Sequence, residues 1–201
     1  MKMTYIFIGI ILAAVLFFYF TSCKNKSTSA GEIPSPNEET AKVKETKVKE
    51  NPYPKLRNQS LSITADQLKL KFDDKPIVYG AIMDWDIGDA VITVVAFQTG
   101  DASLYISTGQ VFIGGYAHDN IKKAGVAFVR ETQNFLSKAK PTETTSLPDK
   151  ECVRFYFLTN KGKFFYQETV AKIESKNSEW TSLFNLGNNV INEYRTTTEN
   201  K

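Results

Sequence analysis

Hydrophobic and polar residues alternate differently in three regions of the chain. Residues 5–20 are almost all apolar, and residues 24–52 are almost all polar and contain no aromatic side chain. From residue 53 onward, apolar positions recur with the periods expected of strands and helices. We therefore divide the 201-residue chain into an N-terminal segment (1–23), a polar linker (24–52) and one folded domain (53–201).

Five segments of the domain have the composition of β-strands. Residues 77–85, 90–98 and 102–107 predict a three-strand meander, because turn residues separate strands rich in β-branched and aromatic side chains. Residues 152–158 and 163–167 predict a hairpin around Asn160-Lys161-Gly162. The second strand, AVITVVAFQ, is apolar on both faces, so we expect it to lie centrally with both faces covered.

Helical patterns lie on either side of the hairpin. One helix is predicted to begin near Asp119 and another to span residues 178–195, since both regions have apolar positions at helical spacing. Thr64 and Gln67 match a capping box, which predicts a short helix that begins at Thr64. Hairpins without a regular βαβ alternation indicate an α+β domain with an antiparallel sheet of about five strands.

The N-terminal segment lies between the lengths of a signal sequence and a membrane span. A signal needs an apolar stretch of about 7–15 residues, and a spanning helix needs about 17–25. Phe20-Thr21-Ser22-Cys23 resembles a lipobox, in which the cysteine receives the lipid, although Phe20 replaces the usual aliphatic residue. The alternatives are an uncleaved single-pass anchor and a buried core helix. The first two interpretations place the domain at a membrane, and the lipoprotein interpretation places it outside the cytoplasm.

The linker is predicted to be a disordered spacer. Its Lys, Glu, Ser, Thr and Pro residues cannot bury enough apolar surface to offset the entropy of ordering. The whole chain has a net charge of +3 and no clustered basic patch, which argues against nucleic-acid binding. Cys23 and Cys152 are far apart in the sequence, so we expect no disulfide framework and a core position for Cys152.

Two groups of residues are candidates for ligand binding. Three carboxylates, those of Asp84, Asp86 and Asp89, occur within six residues, but the full calcium-loop pattern is missing, so no metal site is predicted. The second group precedes the helix near Asp119, where glycines can present N–H groups to an anion, although Asp119 would compete as the N-cap. Its members, with the nearby turn aspartate, are Asp101, Ser107, Gly109, Gly114, Gly115 and His118.

The predicted hairpin is rich in aromatic residues, including Phe155, Tyr156, Phe157 and Phe165. Alternation places Phe155 and Phe157 on one face and Tyr156 on the other. One face is expected to join the core. The other would be a binding surface for a peptide or glycan if it were open, and otherwise would be covered by a helix.

Four segments resemble a group of small bacterial domains. They are MDWDIGDA (83–90), GDASLYIS (100–107), Ile113-Gly114-Gly115 and VRFYFLTNKG (153–162). The resemblance covers most of residues 53–195. It implies no catalytic residues, because no activity is established for that group.

The sequence therefore favours a membrane-tethered, non-enzymatic binding module that needs no cofactor. Its partner would be an envelope protein or a glycan, and its oligomeric state stays open. One alternative is a small hydrolase or ligand-sensing domain that uses Asp84, Asp86, Asp101 or His118, provided that these side chains converge. The other alternative is a homo-oligomeric structural protein of the envelope.

Overall fold

The computed structural model of the protein describes residues 50–199. The predicted N-terminal segment, the candidate lipidation site Cys23 and the linker up to residue 49 lie outside the described residues. No helix among residues 50–199 is both long enough and apolar enough to cross a membrane.

Residues 50–199 form four α-helices and seven strands. In chain order these are α1 (Tyr53–Ser62), β1 (Val78–Asp86), β2 (Val91–Phe97), β3 (Ala102–Ile106), β4 (Val111–Phe112), α2 (Asp119–Phe135), β5 (Lys140–Thr142), β6 (Cys152–Thr159), β7 (Gly162–Thr169), α3 (Val170–Glu174) and α4 (Thr181–Glu199).

All seven strands belong to one antiparallel sheet with the order β4-β3-β2-β1-β6-β7-β5 within the described residues. The predicted α+β class, the meander and the hairpin are therefore confirmed. The predicted number of about five strands was too low. The two additional strands, β4 and β5, are edge strands of two and three residues, which are too short to show a period of two in the sequence.

The sheet is covered on both faces, as the apolar pattern of β2 predicted. On one face, alternate residues of the strands pack against α2 and α4, and we call this the α2/α4 face. The other face, here the α1 face, packs against α1 and the segment that follows it. Tyr79, Ile82, Val95, Tyr156 and Leu158 form the centre of this second core.

The prediction of a helix that begins at Thr64 was wrong. The capping-box hydrogen bonds do form, since Gln67 Oε1 accepts from Thr64 N at 2.9 Å and Thr64 Oγ1 accepts from Gln67 N at 3.3 Å. They close a turn instead of starting a helix, and Lys69 adopts a left-handed conformation, with a φ of 57°, at the end of that turn. The helix of this region is α1, which ends at Ser62 and which the apolar pattern did not reveal.

Candidate functional site

Asp84, the first candidate ligand residue, is fully buried on the α1 face of β1 and is paired within the protein. Its Oδ2 accepts from Arg57 Nη2 at 2.6 Å and its Oδ1 accepts from Arg57 Nε at 3.2 Å, so the guanidinium binds in a bidentate manner. Thr93 Oγ1 donates to Asp84 Oδ1 at 2.5 Å, and the hydroxyl of Tyr53 lies 3.0 Å from Thr93 Oγ1. The carboxylate is thus committed to holding α1 against the sheet.

Arg57 also joins a third part of the fold. Its Nη1 donates to the carbonyl of Thr145 at 2.8 Å, and its Nη2 donates to the carbonyl of Ser146 at 3.1 Å. The hydroxyl of Tyr156 donates to the same Ser146 carbonyl at 2.5 Å. One buried side chain therefore connects α1, the centre of the sheet and the loop between β5 and β6.

The charges in this network support each other. Burial disfavours the cation of Arg57, but the hydrogen bonds and charge of Asp84 more than offset this, so the pKa of Arg57 is raised. Burial, and secondarily the charge of Asp84, raises the pKa of Tyr53 to about 12. On the other face of the sheet, burial raises the pKa of Tyr194 to about 12 as well. Both phenols are therefore held in their neutral form.

These two tyrosines should make the domain less stable at alkaline pH. In the unfolded chain a tyrosine ionises near pH 10, whereas Tyr53 and Tyr194 resist ionisation in the fold until about pH 12. The unfolded state then binds fewer protons, so stability present below pH 10 is lost as the pH rises from 10 to 12, by roughly 2–3 kcal/mol for each tyrosine. Urea unfolding across this range measures the loss. Tyr53→Phe and Tyr194→Phe should each flatten the curve, and equal slopes in the wild type and both variants would contradict the assignment; Tyr116→Phe, at an exposed position, is the matched control.

Four other candidate residues lie at the sheet end formed by the β1–β2 and β3–β4 turns. Asp86 Oδ1 accepts from the backbone N–H groups of Gly88 and Glu151, both at 3.1 Å, and Asp89 is exposed in the first turn. Ser107 Oγ accepts from Val91 N at 2.9 Å. Gly109 has a φ of 107° in the second turn. These contacts build the two turns.

The remaining candidates lie at the other end of the meander. Asp101 Oδ2 accepts from Thr99 Oγ1 at 2.7 Å within the β2–β3 turn. Gly114 has a φ of 84°, which favours glycine. Gly115 is packed closely: a Cβ there would lie 2.5 Å from the Tyr194 hydroxyl and 2.6 Å from Ile121 Cγ2. The glycines of this loop therefore serve the chain turn and the packing of α4.

Helix α2 begins where it was predicted, but its N-cap is not the predicted residue. His118 is the N-cap residue, and its side chain makes no capping hydrogen bond. Asp119 lies one position further on, as the first residue of the helix, where its charge is favourable to the helix dipole. Asp119 is therefore not the N-cap, because the three residues before His118 already form a short 3₁₀ turn that sets where the helix can begin.

The candidate residues are thus divided between two ends of the meander, roughly 20 Å apart for a seven-residue strand such as β2. Asp86 is separated in this way from Asp101 and His118, and Asp84 lies within β1 and is already paired with Arg57. The hydrolase interpretation needs these residues in one pocket. Among residues 50–199, no cluster of three or more His, Cys, Asp or Glu side chains could hold a metal ion.

The structure instead presents a cleft on the α1 face, at the end where β1 begins and β6 ends. It has a volume of about 680 Å³, within the usual range of roughly 300–1,000 Å³ for ligand sites. Its floor contains Tyr79 and Leu158. One wall is the segment 61–65 with residues 70–72, and the other contains Glu143 and Lys163. This is the open part of the predicted hairpin surface; its neighbour Tyr156 is covered by Arg57 of α1 and by the loop 143–149.

The cleft is lined by apolar and polar side chains in about equal measure. Phe72 stacks on Tyr79 with ring centroids 6.2 Å apart, and Tyr79 uses its hydroxyl to hold the carbonyl of Ile63 at 2.9 Å. Thr159 and Asn160 are likewise hydrogen-bonded to the backbone of the protein. The charged lining residues are two lysines and two carboxylates, so their formal charges cancel: Asp66, Lys71, Glu143 and Lys163.

Sequence reasoning found Asp84 but missed both its partners and this cleft. An aspartate between apolar residues of a central strand must find a cation or several donors when buried, so a partner could have been inferred. Which of the many lysines and arginines supplies it depends on how α1 docks. No family model, curated protein or solved structure matches this chain.

Proposed function

We propose that this chain is a membrane-tethered, non-enzymatic binding module whose ligand occupies the cleft beside α1. The cleft is the observation that carries the proposal, since it joins a suitable volume to an apolar floor. The polar residues predicted from the sequence support it indirectly, because they form no competing site. Asp84 is already paired with Arg57, and the others shape turns at two separate ends of the sheet.

The lining supports a ligand with an apolar group and no net charge. Aromatic and aliphatic side chains favour apolar contact. The neutral side chains Thr159 and Asn160 are used by the protein itself. The two lysines and two carboxylates of the lining give no preference for either sign of charge. An apolar side chain of an envelope protein, presented on a neutral peptide, has this chemistry.

We expect a neutral leucine derivative to bind in the cleft. Residues 48–201, a compact unit, would be titrated with N-acetyl-leucinamide, with its anionic analogue N-acetyl-leucine and with its cationic analogue leucinamide. All three carry the same apolar group. Amide chemical-shift changes in NMR spectra should cluster at the cleft, and the neutral compound should bind at least as tightly as either charged one.

Two tryptophan substitutions provide the matched comparison. Ala65→Trp adds bulk at a half-buried lining residue and should abolish the shifts, whereas Ala171→Trp, at an exposed position of α3, should preserve them. Shifts that persist in Ala65→Trp, or that lie at the β1–β2 and β3–β4 turns, would refute the cleft as the site. Absence of binding by all three compounds would also refute the cleft as the site.

A further inference from the structure

Helix α1 is attached to the sheet through polar groups as well as through apolar packing. Four of its ten residues are buried: Tyr53, Arg57, Ser60 and Leu61. The first three meet the polar side chains of Thr93, Asp84 and Tyr105 across the interface. A helix of ten residues is marginal by itself, since isolated helices need roughly 12–15 residues. The folding of α1 therefore depends on its docking.

The loop 143–149 depends on the same docking. Arg57 lies on α1, and its guanidinium donates to the carbonyls of Thr145 and Ser146. When α1 leaves the sheet, Arg57 leaves with it, so the Thr145 carbonyl loses its Arg57 donor and the Ser146 carbonyl loses one of its three donors. Around Ser146 the loop then keeps the bond from the Tyr156 hydroxyl and a longer one, at 3.4 Å, from Arg154. At its end, Asp149 keeps its two hydrogen bonds with the Gln167 side chain.

Both elements form walls of the cleft. Leu61 and Ser62 at the end of α1 line one side, and Glu143 at the start of the loop lines the other. We infer that α1 and residues 143–149 form one cooperative unit, joined through Arg57, that sets the width of the cleft. This inference deepens the proposed function, because it concerns the regulation of the same site.

The position of α1 in the chain gives this unit a regulatory meaning. The N-terminal part of the chain enters α1 directly: Asn51 donates to the carbonyl of Ser107 at 2.8 Å, and its Oδ1 accepts from Tyr53 N at 3.0 Å. A pull on this entry, or a partner that binds it more tightly when α1 is undocked, favours undocking of α1. A ligand in the cleft favours the docked state, so the two effects oppose each other by thermodynamic linkage.

Hydrogen exchange in two Tyr→Phe variants tests the coupling. Tyr53→Phe removes a hydroxyl that bonds α1 to Thr93 of the sheet and not to the loop. Tyr156→Phe removes a loop bond and keeps the ring beneath Arg57. The full chain in lipid nanodiscs would be followed by mass spectrometry. Each variant should speed exchange in both 53–62 and 143–149, by about fivefold for a hydrogen bond worth about 1 kcal/mol.

Tyr194→Phe is the matched control, because its hydroxyl donates to Ala102 on the other face of the sheet. It should leave the rates of hydrogen exchange in residues 53–62 and 143–149 unchanged relative to the rate in α2. Faster exchange of α1 alone in Tyr53→Phe, or of the loop alone in Tyr156→Phe, would overturn the inference. Uniformly faster exchange across the whole domain would overturn it too. The measurement uses no ligand, so its failure leaves the cleft proposal standing, and failed probe binding leaves the coupling standing.

Discussion

We expect Arg57→Ala to lower the free energy of unfolding by about 3–5 kcal/mol, the usual cost of removing one partner of a buried ion pair. The variant leaves the carboxylate of Asp84 fully buried with Thr93 as its remaining partner. It also removes the donors to the carbonyls of Thr145 and Ser146. Urea unfolding monitored by circular dichroism measures the effect.

An exposed ion pair of the same domain is the control. Lys138 Nζ and Glu179 Oε2 are 2.5 Å apart, but their side chains are 45% and 57% exposed. Water screens such pairs, so Lys138→Ala should cost only about 0–1 kcal/mol. Equal costs for Lys138→Ala and Arg57→Ala would show that the buried pair does not hold α1 to the sheet.

The double variant Arg57→Ala/Asp84→Ala separates the cost of losing the ion pair from the cost of leaving one charge buried without a partner. It leaves no buried charge without a partner, so it should cost less than the sum of the two single variants. A double variant whose cost equals that sum would mean that the two side chains act independently.

The central elements of the fold could be predicted because their patterns are long. The strand predicted at residues 90–98 is observed at Val91–Phe97, and its apolar residues on both faces correctly indicated a covered central position. The helix predicted near Asp119 begins at that residue, and its buried positions include Ile121 and Phe128. Here local periodicity and tertiary burial carry the same information.

Helix α1 could not be predicted for the opposite reason. Its buried face contains Arg57 and Ser60, so the polar and apolar positions do not form an amphipathic stripe. The helix is defined by what lies opposite it in the sheet, which is Asp84 and Tyr105. The cleft could not be predicted from the sequence either, because its walls come from segments far apart in the chain.

Asp84 shows the same limit of sequence-based prediction for a candidate site. Its position in MDWDIGDA suggested a ligand-binding cluster with Asp86 and Asp89. In a strand, neighbouring positions alternate between faces, and Asp84 and Asp86 do share the α1 face. What separates them is burial: Asp84 is enclosed by Arg57, while Asp86 holds two backbone N–H groups at the turn. Sequence spacing cannot distinguish these two environments.

We expect Cys23→Ala to abolish lipid labelling of the chain. Cys23 follows Phe20-Thr21-Ser22, which resembles a lipobox, and the modified cysteine is the attachment point in that interpretation. Cys152→Ala is the matched control, because Cys152 is the second of the two cysteines and is buried in β6. It should be labelled as strongly as the wild type.

Attachment to a membrane is tested most directly by fractionating bacteria that express the wild-type chain, Cys23→Ala or Cys152→Ala during growth with a labelled fatty acid. We predict that the wild type and Cys152→Ala are labelled and sediment with membranes, and that Cys23→Ala is unlabelled. Release of Cys23→Ala would identify the lipid as the anchor, and its retention would identify residues 5–20 as a spanning helix. A wild-type chain that is unlabelled and remains in the soluble fraction would contradict the proposal that the domain is held at a membrane.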